Sequence, residues 1–509
     1  MNINKLVWTQ LSLDDALKPY FDDPSVYLTD DPETIARRQR ELTCLMENPK
    51  LAEAFEQLAV RFDELEALRT THSVDTGDPL RILRSIRVLE TFRCSLQNTL
   101  TIVSDQRCFE NAAESIQCIL CDYPQDYEDL WSCYDGVNLP GSLTYRVEVD
   151  ELLDITRYRL IAVHSNRYTK PRRLPLRAPG NYPMVERFII TRVNGADGSV
   201  NIETRKARTN RAAQHPYERM SSGTIKKEEE NVIREAMESI MLNEAKAAIS
   251  QLNTTVRILL SKAAELQRRT RYFVGALGYI RDLQKVCTVI FPEVCTSGGH
   301  IRELSHPRTL LRREYCVPND VSFDEAGIRL LMGANRGGKT TYLRSVGAAQ
   351  LLFQMGLPIP AREARMTPVS QVICVFASDE RTGFQSGRLG QELNALRDAL
   401  IAADEHSLVL FNEPLTGTSK KTCETLCREF LSILKVKGAR GLWVTHLFGM
   451  VRDAEAMNRE LPGRPIGFLH VLPHAAGGFK VRPGMEEGVD LEAVGSHARE
   501  MLEEEGVVL

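Results

Sequence analysis

At 509 residues, with 43% hydrophobic and 26% charged positions, the chain has the make-up of a globular protein of about two to four domains, which excludes a fibrous or disordered class. Its net charge of −4 offers no global attraction to polyanions, so any nucleic-acid contact has to be local. The start, MNINKLVWTQLSLDD, carries no long apolar segment, and no later stretch approaches the ~18 uncharged apolar residues of a membrane span, so a cytoplasmic protein is expected.

From Asn48 to Arg69, Leu51, Phe55, Leu58, Phe62, Leu65 and Leu68 recur at steps of three and four, which puts them on one face of a helix with glutamates and arginines opposite. The 12 cysteines are scattered; the CxxC at Cys118 and Cys121 has no second pair at zinc-ribbon distance and reads as free thiols. Ile249, Leu252, Val256, Leu259, Ala263 and Leu266 form a second apolar face, and the helical pattern resumes through Leu277, Ile280 and Leu283. Long helices paired as levers explain these faces, and an ordinary bundle core uses the same pattern.

Between the helical blocks the period changes. SLTYRVEVDE, YRLIAVHS, VERFIITRV and GSVNIETRK read as strands, the last two joined through the turn residues Asn194, Gly195, Asp197 and Gly198. The expectation is a small β-rich insertion at about 142–210. From Leu160 to Arg211 there are 11 Lys or Arg against three Asp or Glu, including Lys170, Arg172, Arg173 and Arg177. Segment 167–211 is therefore the candidate for DNA-backbone contact; a solvated basic loop is the bland alternative.

After about residue 296 the pattern becomes β/α, with strand-like runs at IRLLM, VICVF, LVLF and LWV. The first leads into Gly333, Ala334, Asn335, Arg336, Gly337, Gly338, Lys339, Thr340 and Thr341, which fits GxxxxGK[ST] between a strand and an amphipathic helix. Backbone N–H groups of such a loop close on phosphate oxygens at a helix N-terminus, Lys339 adds a cation between the β- and γ-phosphates, and Thr340 offers a hydroxyl to Mg²⁺. The run SLVLFNEP ends in Asn412 and Glu413, where Glu413 is placed to polarise an attacking water, or else to cap a helix. His446, after GLWVT, can bond the γ-phosphate or that water.

These residues carry a resemblance. The last 210 or so positions resemble the ATPase domain of the MutS family, itself related to ABC-type ATPases. The matching pieces, in order, are His306 and Pro307, VPND at Val317 to Asp320, GANRGGKTTYLR, QMGLPIPA at Gln354 to Ala361, ASDE at Ala377 to Glu380, SGR at Ser386 to Arg388, NEPLTGTS at Asn412 to Ser419, and VTH at Val444 to His446. PETIARRQRELTCLMENPKL resembles, less sharply, the start of the MutS core domain. The fold class implied is multidomain: an α-helical core/lever domain over 1–295 with the β-rich basic insertion, then an α/β P-loop ABC-type ATPase domain over 296–509.

The resemblance implies a homodimer through the ATPase domains, with Ser386, Gly387 and Arg388 presented in trans to the γ-phosphate. It places Asp379 in the Mg²⁺ shell with Thr340 and Asn412, and His470, after Phe468 and Leu469, against adenine. ATP and Mg²⁺ are the cofactors it implies, and a downstream protein partner is possible. The sequence also departs from the family. Asn412 stands where the family usually has an aspartate, an exchange that predicts weaker Mg²⁺ retention and slow turnover. SGRLGQEL is shorter than the usual signature, and with Cys316 in place of an aromatic, base stacking falls to Tyr315 or weakens. No mismatch-reading domain is expected ahead of the helical core, and Phe62 of FDE reads as core. The expected function is a DNA-binding clamp driven by ATP that does not read mismatches; the alternative is a nucleotide-gated protein-interaction switch.

Overall fold

The computed structural model describes residues 5–71, 79–121, 141–149, 159–165, 186–194, 200–207, 253–324, 326–333, 337–376, 385–415, 419–447, 449–474 and 478–484. Contacts divide the chain into two compact units, one of residues 50–270 and one of residues 1–49 with 271–509.

In the first unit, helix Pro49–Thr71 buries Leu51, Phe55, Leu58, Phe62 and Leu65, the face that the three-and-four spacing defines. Phe62 meets Phe92 of helix Pro79–Ser104 edge-on at 5.1 Å, and Phe55 lies 5.5 Å from Phe109, so Phe62 is core, as its place in the pattern predicts. Val256, Leu259, Ala263 and Leu266 are buried too, whereas Ile249 and Leu252 lie outside the described residues. The expected β-rich insertion is an antiparallel sheet of β1 (Gly141–Val149), β2 (Arg159–Ser165), β3 (Glu186–Asn194) and β4 (Val200–Ala207) in the order β2-β1-β3-β4. Asn194 opposite Val200 closes the β3–β4 hairpin; Gly195, Asp197 and Gly198 of its turn, and Lys170, Arg172, Arg173 and Arg177, lie outside the described residues.

The second unit has two sheets. The smaller is built from β5 (Glu293–Val294), β6 (Gly299–Leu304), β7 (Asn319–Ser322) and β9 (Glu363–Met366), in the order β5-β9-β6-β7. The larger contains β8 (Ile328–Met332), β10 (Gln371–Phe376), β11 (Ser407–Asn412), β12 (Arg440–Val444), β13 (Gly467–Pro473) and β14 (Phe479–Pro483). Its order is β10-β11-β12-β8-β13-β14, parallel throughout except for β14. A parallel sheet is covered on both faces, which is why β11 and β12 are apolar runs rather than alternating ones. Trp443 and Phe411, 5.0 Å apart and almost wholly buried, anchor its centre. Central β8 has β12 on one side and β13 on the other, and ligands bind such sheets outside the carboxyl ends where the winding reverses.

The sequence boundary at 295/296 does not coincide with this division. Residues 5–49 pack on helix Lys339–Met355, which follows β8, because their apolar side chains find burial there. Leu11, fully buried, presses on Gly347 so closely that a Cβ at 347 would stand 2.5 Å from its Cδ2. Arg344 Nε donates to the Gln10 carbonyl at 2.9 Å, and His306 Nε2 to the Leu11 carbonyl at 3.1 Å. At the helix's other end, Gln354 and Thr29 exchange hydrogen bonds of 3.0 and 3.1 Å, and Tyr272 donates to the Met355 carbonyl at 2.8 Å. Asp31 caps helix Pro32–Glu47 through the Glu33 and Thr34 N–H groups. Among the described residues, no helix is long and apolar enough to cross a membrane.

Burial lowers the His306 pKa from 6.5 to about 4, against the bond to Leu11 and with help from the Arg344 and Arg308 charges. Between those values the unfolded chain binds the proton and the folded one does not, so this contribution is full above pH 6.5 and is lost as pH falls toward 4. Acidification through that window should remove up to about 3 kcal/mol of stability. Urea midpoints across the window should show a fall that His306→Gln flattens; parallel profiles for the two proteins would contradict it.

Candidate functional site

The site lies at the carboxyl ends of β8, β11 and β12. β8 delivers Gly333, whose positive φ of 144° lets the chain turn against Val471 of β13, where a Cβ would stand 2.9 Å from the Val471 Cβ. Gly338, at φ 75°, turns the chain into helix Lys339–Met355. Lys339 and Thr340 therefore begin a helix whose free N–H groups point out of the sheet end. Ala334, Asn335 and Arg336 lie outside the described residues.

Lys339 turns back over the loop and is 4% exposed. Its Nζ donates to the Gly333 carbonyl at 2.8 Å and lies 3.9 Å from Glu413 Oε1. Burial pushes the ammonium below its usual pKa, and the Glu413 carboxylate pulls it back up. Glu413 follows β11 with a left-handed backbone, φ 48°, and Leu415 has φ 67°. Two non-glycine residues in that region within three positions hold the strand end in a sharp turn, tied down by the Glu413 N–H donating to the Val444 carbonyl at 3.1 Å. The turn aims the carboxylate across β12, where His446 Nε2 meets Glu413 Oε1 at 2.7 Å.

That short contact assigns the proton. Nε2 donates to Glu413, so it has no lone pair for Lys339, whose Nζ is 3.4 Å away. Beside Lys339, Thr340 Oγ1 donates to Asn412 Oδ1 at 3.2 Å. The expected residues Gly333, Gly338, Lys339, Thr340, Asn412, Glu413 and His446 thus converge on one strand-end surface.

His470 of β13 is in register with Met332, beside the loop, and its Nδ1 faces the Gly484 carbonyl at 2.7 Å. Tyr315 is 65% exposed. Ser386, Gly387 and Arg388 form the first turn of helix Gln385–Ala402, and their side chains and Asp379 lie outside the described residues. Asn319 supports the site: its amide donates to the Val317 carbonyl at 2.9 Å and accepts from the Val481 N–H at 2.7 Å, joining the small sheet to the β13–β14 hairpin. The docking of Gln10 and Leu11 on the loop helix is the contribution that sequence reading missed; the apolar residues Val7, Trp8, Leu11 and Leu17, all buried, are the signal that could have found it.

Glycine turns, a helix start and a buried lysine fit the phosphates of a nucleoside triphosphate. The same residues do not make a carboxylate-bearing Mg²⁺ site. Next to Thr340 stands a neutral amide, and Glu413 is engaged by His446 and Lys339. Among the described residues, no cluster of three or more His, Cys, Asp or Glu could hold a metal.

Sheet order, loop and strand-end carboxylate define a P-loop nucleotide-binding domain. Residues 329–461 match the family model for MutS domain V. The endonuclease MutS2 of Enterococcus faecalis is 31% identical over 211 residues, 39% of this chain and 26% of the relative. The DNA mismatch repair protein MutS of Brevibacillus brevis is 31% identical over 245 residues, 46% of this chain and 27% of the relative. MutS 2 of Halobacterium salinarum, also a DNA mismatch repair protein, is 30% identical over 268 residues, 50% and 30% of the two chains. These matches show a MutS domain V over residues 329–461, and the aligned part of the chain spans between a quarter and a third of these relatives' length.

Replacing Lys339 removes the cation that fills the loop. Lys339→Met should weaken ATP binding by at least about tenfold, since a lost charge-assisted contact costs more than 1.4 kcal/mol, with the melting temperature of the free protein kept or raised. Calorimetric titration reads the first and a thermal melt the second; unchanged affinity would remove Lys339 from the site.

Proposed function

We propose that the chain is a MutS-type ATPase that binds DNA by its backbone or shape, as a dimer closed by ATP. The observation that supports this best is the meeting of Lys339, Glu413 and His446 at the head of the loop helix. An arriving γ-phosphate takes over the Lys339 ammonium from Gly333 and Glu413. Glu413 is then free to accept the proton of a water that attacks the γ-phosphorus as the bond to the β,γ-bridging oxygen breaks and ADP leaves, while His446, donating to the carboxylate, keeps it aimed. A divalent cation, bordered by Thr340 and Asn412, would offset the phosphate charge when bound. Ser386 to Arg388 of a second copy complete the site at the γ-phosphate, His470 and Tyr315 bracket the base, and Asp379 adds to the metal's surroundings.

Turnover is slow in this reading, because Asn412 brings no charge to the cation. DNA contact falls to segment 167–211, where the basic excess lies, and is sequence-independent. The chain's net charge of −4 favours, as a second reading, a nucleotide-gated surface for a protein partner.

Steady-state ATP hydrolysis, alone and with intact, mismatched and branched duplexes, separates the two, with Glu413→Ala as the blank. Stimulation by intact or branched DNA is expected, with no preference for the mismatched duplex. Joint neutralisation of Lys170, Arg172 and Arg173 should weaken binding to every duplex and flatten its salt dependence by up to about three charges. Turnover indifferent to all DNA would transfer the switch to a protein partner.

A further inference from the structure

We infer that nucleotide binding at this site is only weakly coupled to Mg²⁺, and that Asn412 is the residue that sets this. The inference rests on the ATP reading above. Asn412 ends β11 in register with Phe376 of β10 and Val444 of β12, which fixes its side chain at the sheet end next to the loop helix. There the Thr340 hydroxyl donates its proton to the Asn412 amide oxygen at 3.2 Å. A carboxylate in that place would accept the same proton and add a negative charge beside the hydroxyl oxygen that a phosphate-bound cation meets. The amide keeps the geometry and omits the charge.

The nearby carboxylate does not replace it. Glu413 faces His446 at 2.7 Å and the buried Lys339 at 3.9 Å, so in the free protein its carboxylate is held by those two groups, while Asn412 is the residue that meets Thr340. Lys339 and the positive helix start therefore face a triphosphate beside a neutral amide. A bare triphosphate, with two more negative charges than its Mg²⁺ complex, meets little repulsion here. From Thr340 and Asn412 a cation arriving on the phosphates gains a hydroxyl and an amide but no negative charge, whereas Mg²⁺ sites ordinarily supply one or two carboxylates. The factor by which Mg²⁺ improves nucleotide affinity equals the factor by which nucleotide improves Mg²⁺ affinity. A neutral amide in the Asn412 position lowers both together.

The test is calorimetric titration of the full chain with a non-hydrolysable ATP analogue, in Mg²⁺ and in EDTA, for the wild type and for Asn412→Asp, with thermal shifts as a second readout. The wild-type affinity should change by less than about fivefold between the two buffers, and Asn412→Asp should widen that ratio by about tenfold. Wild-type binding seen only with Mg²⁺, or equal ratios in the two proteins, would overturn the inference and leave the ATP site standing. If Asn412→Asp fails to fold, the wild-type ratio alone decides. No binding in either buffer would count against the ATP reading itself, and this inference would go with it.

Discussion

A lysine ammonium with 4% of its surface exposed needs partners, and the architecture of the C-terminal unit can be traced from where Lys339 finds them. One is the Gly333 carbonyl, available because a residue without a Cβ lets β8 turn over its own helix. Another is Glu413, which reaches the ammonium because the chain after β11 enters the left-handed region. The carboxylate then needs a donor on its far side, and His446 provides it from the end of β12. Three strand ends are thus bound to one charge. On the function proposed above, the phosphate of a nucleotide would satisfy the same ammonium, so a ligand would exchange the free protein's contacts rather than create new ones.

The loop helix must stay in place for that exchange to work, and it is held at both ends by residues far away in sequence. Leu11 against Gly347 and Gln10 on Arg344 fix one end; Thr29 on Gln354 and Tyr272 on Met355 fix the other. Gln354 is completely buried, and its amide is satisfied by the Thr29 and Val369 carbonyls, so sliding the helix would strand polar groups away from water. The N-terminal segment is in this sense part of the same compact unit as the loop helix.

Much of the site was legible because parallel strands write themselves as apolar runs with the chemistry following the last residue. IRLLM before Gly333, LVLF before Asn412 and LWV before His446 are such runs, and the structure pairs all three side by side. The amphipathic face from Leu51 to Leu65 was legible for the corresponding reason at a helical period. What could not be read is pairing across long separations. Nothing local in Val7 to Leu17 says that its partner is a glycine over 300 residues later, which is why the helical region and the ATPase region seemed to divide at 295. Asn412 shows both limits: the residue type announces a missing charge, and only the Thr340 contact shows that the geometry of the charged version is kept.

The central claim, that the Lys339 surroundings are a nucleotide site held ready in the free protein, is tested most directly by amide hydrogen exchange with and without ATP. Slower exchange confined to the start of helix Lys339–Met355 and to the segments after β11 and β12 is the predicted result. Protection absent from all three, or appearing only in residues 50–270, would contradict it.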